Sequence, residues 1–192
     1  MRHNFLTTIR RVAVLAGLVF TAACSTDATA PAAPAQVEPA LARRSPDRFL
    51  LALVKVLPRN HALNKTISSS ATIGAAGGEI KLPQVGFSLV IPAGALSANT
   101  QITVTADSGS GVAYRFEPHG LEFNKTVWFT QELKHTKATP LTLMLGAYFK
   151  NPDQLNLTDL TALIDELFGV RRSGGKLLFG IEHFSGYLVS CA

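Results

Sequence analysis

Apolar and polar residues alternate in short runs along most of the chain after Thr66. In "TQITVTA" (Thr100–Ala106), Ile102 and Val104 alternate with threonines, which is the period of a half-buried strand. Similar runs recur between glycine, proline and asparagine residues: "GEIKL", "FSLVI", "VAYRFEP", "TVWFTQEL", "LTLMLGAYF" and "KLLFGIEHFSGYLVS". Evenly spaced short strands of this kind predict an all-β fold, an antiparallel β-sandwich over residues 67–192.

Two segments depart from this alternation and predict helices. "RFLLALVKVLP" (Arg48–Pro58) is apolar on most sides, so we expect a short helix within residues 48–66 that ends before Pro58. Farther along, a second candidate helix lies between a Thr158 cap and Gly169, with apolar residues at helical spacing: Leu160, Leu163, Ile164, Leu167 and Phe168. Against this helix, Leu155–Leu157 alternates like a strand.

The first residues have the pattern of an export signal. Basic residues precede the apolar run Val12–Phe20, and small residues lead to Cys24 in "FTAAC". The run is shorter than the roughly 20 residues that a membrane-spanning helix needs. The cysteine after two alanines resembles the lipobox of bacterial lipoproteins, which implies removal of residues 1–23 and a lipid on Cys24. Ser25 favours the outer membrane. Ordinary secretion, with cleavage after an Ala-x-Ala-like site, is the alternative.

Residues 24–47 predict a disordered tether, because they are rich in alanine and proline and contain few large apolar groups. The whole chain has a formal charge of +5, and loss of three arginines with residues 1–23 leaves +2. Such a balanced charge argues against a nucleic-acid partner. With Cys24 attached to lipid, Cys191 is the second of two cysteines and has no partner for an internal disulfide.

Several glycine, proline and apolar positions resemble those of the ZU-five (ZU5) domain, a module of zonula-occludens, netrin-receptor and ankyrin proteins. The resemblance runs from about residue 70 to 188. It rests on Gly77-Gly78, on "IPAGAL" (Ile91–Leu96), and on "YRFEPHGLEF", with Phe116, Leu121 and Phe123 expected in the core. It implies an all-β sandwich and, by analogy with relatives, a protein-interaction platform.

The resemblance also draws attention to His183-Phe184-Ser185. Some relatives cut themselves between Phe and Ser, which implies that Ser185 attacks the Phe184 carbonyl while His183 accepts the hydroxyl proton. In the alternative interpretation this is an ordinary closing strand, with Phe184 inside and His183 and Ser185 facing out. We favour the closing strand and predict no catalytic residues.

Other kinds of site find little support in the sequence. The histidines His61, His119, His135 and His183 are scattered and lack nearby cysteines, so we predict no metal site, and His119 is expected to be exposed in its turn. The glycine-rich "GAAGGE" lacks the Lys-Ser/Thr of a phosphate loop, and we predict no cofactor.

These observations together predict a non-enzymatic protein, lipid-anchored to the bacterial cell envelope, that binds an envelope protein of unknown identity. The competing prediction is a self-processing module that cleaves its own Phe184–Ser185 bond. Glycan binding ranks lower, because it needs an exposed aromatic residue in a groove. The sequence does not establish whether Trp128, the single tryptophan, or its neighbour Phe129 faces out.

Overall fold

The computed structural model describes residues 52–192, which form an antiparallel β domain with three short 3-10 turns at Pro83–Val85, Leu133–His135 and Pro152–Gln154. Its strands are β1 (Ala52–Val56), β2 (Pro58–Leu63), β3 (Ile67–Ile73), β4 (Gly78–Leu82), β5 (Phe87–Ile91), β6 (Thr100–Ala106), β7 (Gly109–Gly111), β8 (Ala113–Glu117), β9 (Glu122–Glu132), β10 (Met144–Phe149), β11 (Leu155–Asn156), β12 (Thr161–Ile164), β13 (Glu166–Phe168), β14 (Arg171–Ser173), β15 (Lys176–His183) and β16 (Gly186–Cys191).

The strands of the described region form two large sheets and one small one. The larger sheet has nine strands in the order β11-β12-β1-β16-β8-β6-β3, with β10 pairing to both β16 and β13. The second sheet has five strands in the order β14-β15-β9-β5-β4, and β2 pairs with β7. Every strand pair among them is antiparallel.

Both large sheets contribute side chains to one hydrophobic core, as the two layers of a β-sandwich do. Aromatic rings cross between the layers: the ring of Phe87 on β5 stacks on that of Tyr114 on β8 at 4.2 Å, and Phe129 on β9 packs edge-on against Tyr114 at 5.6 Å. The alternation seen in the sequence therefore places one face of each sheet in a shared apolar interior.

A buried polar network crosses this core. Arg59 on β2 is 2 % exposed, donates to the carbonyl oxygens of Gly111 and Ala113, and lies 5.3 Å above the ring of Tyr114. The Tyr114 hydroxyl donates to Oε1 of Gln131 at 2.6 Å, and Nε2 of Gln131 donates to the carbonyl of Val85 at 2.7 Å. These bonds satisfy polar groups that would be costly to bury unpaired.

The antiparallel β prediction is confirmed for the described residues, and three strands have the bounds that the sequence indicated. These are β4, β5 and β6. Phe116 is buried as expected, while Leu121 and Phe123 are partly buried against the core.

The predicted N-terminal helix is wrong for residues 52–63, which form β1 and β2. β1 is an interior strand that pairs with β12 on one side and β16 on the other. Its Leu53 is exposed while Val56 is buried. Apolar residues on both faces of this strand imitate the pattern of an apolar helix.

The second predicted helix, from Thr158 to Phe168, is also wrong. Leu160 has a positive φ of 52°, and the chain then forms β12 and β13, with Asp165 between them. The carboxylate of Asp165 accepts a hydrogen bond from the backbone N–H of Lys150 at 2.9 Å, which holds this break in place. Most of the apolar residues that recur at helical spacing in the sequence therefore belong to these two short strands.

The closing segment forms two strands that belong to different sheets. β15 pairs with β9 in the five-stranded sheet, whereas β16 pairs with β10, β8 and β1 in the nine-stranded sheet. Phe184 and Ser185 are the two residues that connect them. The segment Ser108–Gly111 contains β7, which pairs with β2.

The predicted signal peptide (1–23), the tether (24–47) with Cys24, and residues 48–51 lie outside the described residues. Within residues 52–192, no helix is long and apolar enough to cross a membrane.

Candidate functional site

The connection between β15 and β16 is held against the turn at residues 118–121. The Phe184 N–H donates to the carbonyl of Leu121 at 2.8 Å, and the N–H of Gly120 donates to the carbonyl of Phe184 at 2.9 Å. The Phe184 ring stacks on Phe116 at 5.1 Å and meets Phe123 edge-on at 4.8 Å. Backbone and ring contacts thus fix the Phe184–Ser185 peptide beside a turn that is distant in sequence.

The Ser185 hydroxyl lies between a histidine and a backbone carbonyl. Its Oγ is 2.6 Å from Nε2 of His119 and 3.1 Å from the carbonyl oxygen of Lys150. Ser185 is only 3 % exposed, so the prediction that it faces out is wrong; His119 is exposed, as expected. A small opening of about 80 Å³, lined in part by both residues, reaches the hydroxyl.

The structure does not bring His183 to the Ser185 hydroxyl. Among the described residues, the side-chain hydrogen-bond partner of His183 is Tyr187, whose hydroxyl lies 3.4 Å from its Nδ1 and also donates to the His183 carbonyl at 2.8 Å. The His183 ring packs edge-on against Tyr148 at 4.7 Å. Burial raises the pKa of the Tyr187 hydroxyl. The imidazole beside Ser185 therefore belongs to His119, for which the sequence predicts only an exposed position in a turn.

The arrangement around Ser185 has two parts of an acyl-transfer site. An unprotonated Nε2 of His119 can accept the hydroxyl proton, and the Gly120 N–H can stabilise negative charge on the Phe184 oxygen. Within residues 52–192, the non-glycine residue with a positive φ is Leu160, which does not belong to this junction. The sequence signal for His119 is its turn in "EPHGLEF", but nothing in the sequence brings that turn next to Ser185.

A second candidate site lies on the outer face of the five-stranded sheet. Trp128 on β9 is 47 % exposed and its neighbour Phe129 is fully buried, so the tryptophan is the one that faces out. Val90 on β5 is its register partner and is 38 % exposed. On the other side, Gly180 of β15 is opposite Trp128, and the indole lies close to this glycine. We call Trp128, Val90 and Gly180 the tryptophan face.

A shallow groove of about 410 Å³ begins two residues along the same strands, at the paired Ser88 and Thr130. Its rim carries charged pairs: Lys81 with Glu79 at 2.7 Å, and Lys134 with Glu132 at 2.9 Å. The hydrogen bond from Lys134 lowers the pKa of the Glu132 carboxyl. The tryptophan face thus has an apolar centre with a polar, charged margin.

Cys24 lies outside the described residues, while Cys191 is a free, partly buried thiol on β16. Burial raises the pKa of the Cys191 thiol, and nearby Lys55 opposes that effect. In residues 52–192, no group of three or more His, Cys, Asp or Glu side chains is placed to hold a metal ion.

Comparison with known families gives one result that bears on the class of this domain. The model of the ZU5 domain matches residues 69–115, which run from β3 to β8. No curated protein matches the chain. Residues 69–115 of this antiparallel β domain are therefore similar to the ZU5 domain, a protein-interaction module, which is consistent with a binding role.

Proposed function

We propose that this is a lipid-anchored protein of the bacterial cell envelope whose β domain binds another envelope protein through the tryptophan face. The observation that carries the proposal is the exposure of Trp128 next to Val90 on a sheet whose opposite face is packed in the core along β4, β5, β9 and β15. A ZU5-like domain supports a protein as the partner.

The chemistry of this face supports protein recognition. Tryptophan is enriched among the residues that dominate binding energy, and such residues sit inside a polar rim that excludes water. Here Trp128 and Val90 form the apolar centre, and the pairs Lys81–Glu79 and Lys134–Glu132 lie around the adjoining groove. A glycan could also stack on an indole, but the apolar Val90 beside it fits a protein side chain better.

The anchor in this proposal is a lipid on Cys24. Residues 25–51 separate that cysteine from β1, so the domain can reach a partner away from the membrane surface. The anchor is tested by metabolic labelling with palmitate: incorporation into the wild-type chain and its loss in Cys24→Ser support lipidation. Unlabelled wild type would leave ordinary secretion as the mode of export.

The binding role is tested by reversible cross-linking in the native cells, followed by purification of the tagged chain. We expect a discrete envelope protein with the wild type, its loss with Trp128→Ala, and its retention with Leu53→Ala. Leu53 is the matched control because it is an exposed apolar residue, 69 % exposed, on the other large sheet. Equal recovery with both variants would exclude the tryptophan face as the binding surface.

A second candidate function is self-cleavage of the Phe184–Ser185 bond, favoured by the 2.6 Å contact between Ser185 and His119. In this reaction His119 takes the Ser185 proton, and Oγ attacks the Phe184 carbonyl carbon with the Gly120 N–H holding its oxygen. The C–N bond then breaks, the nitrogen gains a proton, and water hydrolyses the resulting ester. The products are a Phe184 carboxylate and a Ser185 amine.

Intact mass under denaturing conditions separates this function from an ordinary crossover. Self-cleavage predicts loss of Ser185–Ala192 from the wild type, and a full-length chain for Ser185→Ala and His119→Ala. His183→Ala is the control: this variant should still cleave, because the His183 ring packs against Tyr148 and Tyr187 and not against Ser185. Full-length wild type after prolonged incubation would exclude the reaction.

A further inference from the structure

Strand β3 forms a free edge of the nine-stranded sheet. Within the described residues it pairs with β6 alone, in unbroken register from Ile67↔Ala106 to Ile73↔Thr100. A strand in this position presents a row of backbone N–H and C=O groups that another strand can pair with.

The other terminal strands of the two large sheets are short or charged, which protects a sheet edge from pairing. In the described region, β11, β13 and β14 have two or three residues each, and β14 is "RRS". β4 has five residues with Glu79 and Lys81 and is followed by Pro83. By contrast, β3 has seven residues, "ISSSATI", without a charge, a proline or a bulge.

The sequence of β3 is nearly symmetric about Ser70. If two such strands run antiparallel with Ser70 opposite Ser70, the facing pairs are Ile67 with Ile73, Ser68 with Thr72, and Ser69 with Ala71. We propose that β3 pairs in this register with β3 of a second copy of the chain, about a two-fold axis at Ser70.

Each facing pair in this register joins residues of like size, and all pairs except Ser69 with Ala71 are also alike in polarity. A two-fold interface requires such self-complementarity, because the same strand supplies both sides. No like charges oppose one another, and the serine and threonine pairs can hydrogen-bond across the strands. Ser70 already makes a bond of this kind on the β6 side, where its Oγ lies 2.7 Å from Oγ1 of Thr103. The small side chains let the two backbones approach closely.

The association should be weak in dilute solution. One strand pair buries less than the roughly 1,200 Å² that a stable protein interface usually covers. Two copies anchored in one membrane would meet at a higher effective concentration. Self-pairing goes beyond the proposed binding function, because it uses the nine-stranded sheet and leaves the tryptophan face free. Either proposal can therefore fail without the other.

Cysteine cross-linking tests the register directly. The full-length chain carries Cys24→Ser and Cys191→Ser so that no native thiol remains, and either Ser70→Cys or Ser68→Cys is added. Both serines are exposed on β3. Maleimide labelling of each variant is the check that the introduced thiols are accessible. Facing residues have Cα atoms about 5 Å apart, within the limit of about 7 Å for a disulfide. Two copies of residue 68 would be roughly 14 Å apart.

We expect disulfide-linked dimers with Ser70→Cys and, under the same mild oxidation, at least about tenfold fewer with Ser68→Cys, because a disulfide needs close Cα atoms. Equal cross-linking of both variants would indicate random collision and overturn the proposal. Stronger cross-linking through residue 68 would also overturn the proposal. The same holds if neither accessible thiol cross-links, which is the result expected if another segment of this chain or another protein covers β3.

Sedimentation of the same cysteine-free chain provides an independent readout. Its mass should rise toward that of a dimer with concentration, and Ser70→Lys should raise the dissociation constant at least about tenfold because two lysines would face each other. Ser68→Lys is the matched control, since its lysine would face Thr72. Circular dichroism checks that each variant is folded. A chain that stays monomeric at every concentration would overturn the proposal.

Discussion

The Ser185 hydroxyl lies 2.6 Å from Nε2 of His119, across 66 positions of sequence. The contact joins the crossover between the two sheets to the turn after β8, and two backbone hydrogen bonds of Phe184 reinforce the same junction. Whether or not Ser185 reacts, this junction couples the two layers of the domain.

Removal of the His119 ring should cost about 1 kcal/mol of the free energy of unfolding, as is typical of one net hydrogen bond. The cost is modest because Ser185 keeps the Lys150 carbonyl as a partner. Denaturant unfolding of His119→Ala measures it. His61→Ala serves as the control, since His61 is exposed and makes no side-chain hydrogen bond within the described region. If His119→Ala lowers the free energy of unfolding no more than His61→Ala does, the contact between His119 and Ser185 does not stabilise the domain.

Gln131→Met should lower the free energy of unfolding by about 2–3 kcal/mol, which is more than we expect for His119→Ala. Gln131 is fully buried, and its loss leaves both the Tyr114 hydroxyl and the Val85 carbonyl without their partner. Each buried unpaired group costs roughly 1–3 kcal/mol. Gln101→Met on the exposed face of β6 is the matched substitution and should change stability by less than about 0.5 kcal/mol. Similar losses of unfolding free energy in the two variants would contradict a stabilising role for the hydrogen bonds of Gln131.

Tyr114 should contribute a pH dependence to stability in alkali. Burial raises its pKa to about 12, from 10.0, although the charge of Arg59 acts in the opposite direction. The folded state therefore holds this proton more tightly than the unfolded state. Its contribution is fully present below pH 10 and is lost as the pH rises from 10 toward 12, by about 3 kcal/mol in total.

The measurement is denaturant unfolding of the wild type and Tyr114→Phe between pH 8 and pH 12. Tyr114→Phe should be less stable at pH 8, because the hydrogen bond to Gln131 is gone. The difference should shrink with rising pH, since the other titrating groups are common to both chains. Parallel curves over the whole range would show that the Tyr114 pKa is not raised by folding.

Gly186→Ala should destabilise the domain, because a Cβ at this position would overlap the buried ring of Phe149. Overpacking of this kind typically costs about 1–3 kcal/mol. Gly169→Ala is the control, since a Cβ there has open space and no positive φ is involved. Thermal unfolding of both variants gives the comparison, and equal transition temperatures would show that the Phe149 ring can move aside.

The sequence predicted the antiparallel β structure well where one face of a strand is buried, as in β4, β5 and β6. It misread the apolar residues of β1 and those from Leu160 to Phe168. There, exposed residues such as Leu53 and Leu163 lie beside buried ones, and the resulting pattern matches a helix as well as a strand. These segments form strands because they pair with strands that are distant in sequence, and the local sequence does not encode that pairing.

The candidate sites were predictable only in part. Ser185 was identified as a candidate, but the resemblance to self-cleaving relatives implied His183, two residues away in sequence, as its base. The chain instead changes sheets at Phe184, which turns Ser185 inward toward His119. For Trp128 and Phe129, the sequence left the outward residue open, and burial of Phe129 settled it.

Protein binding by the tryptophan face can be measured with a photo-cross-linking amino acid at position 90, next to Trp128, in irradiated intact cells. We expect a discrete adduct with another envelope protein that disappears when Trp128→Ala is added, with no such adduct from the same probe at position 53. An absence of adducts from position 90, or an adduct that persists without Trp128, would contradict protein binding at this face.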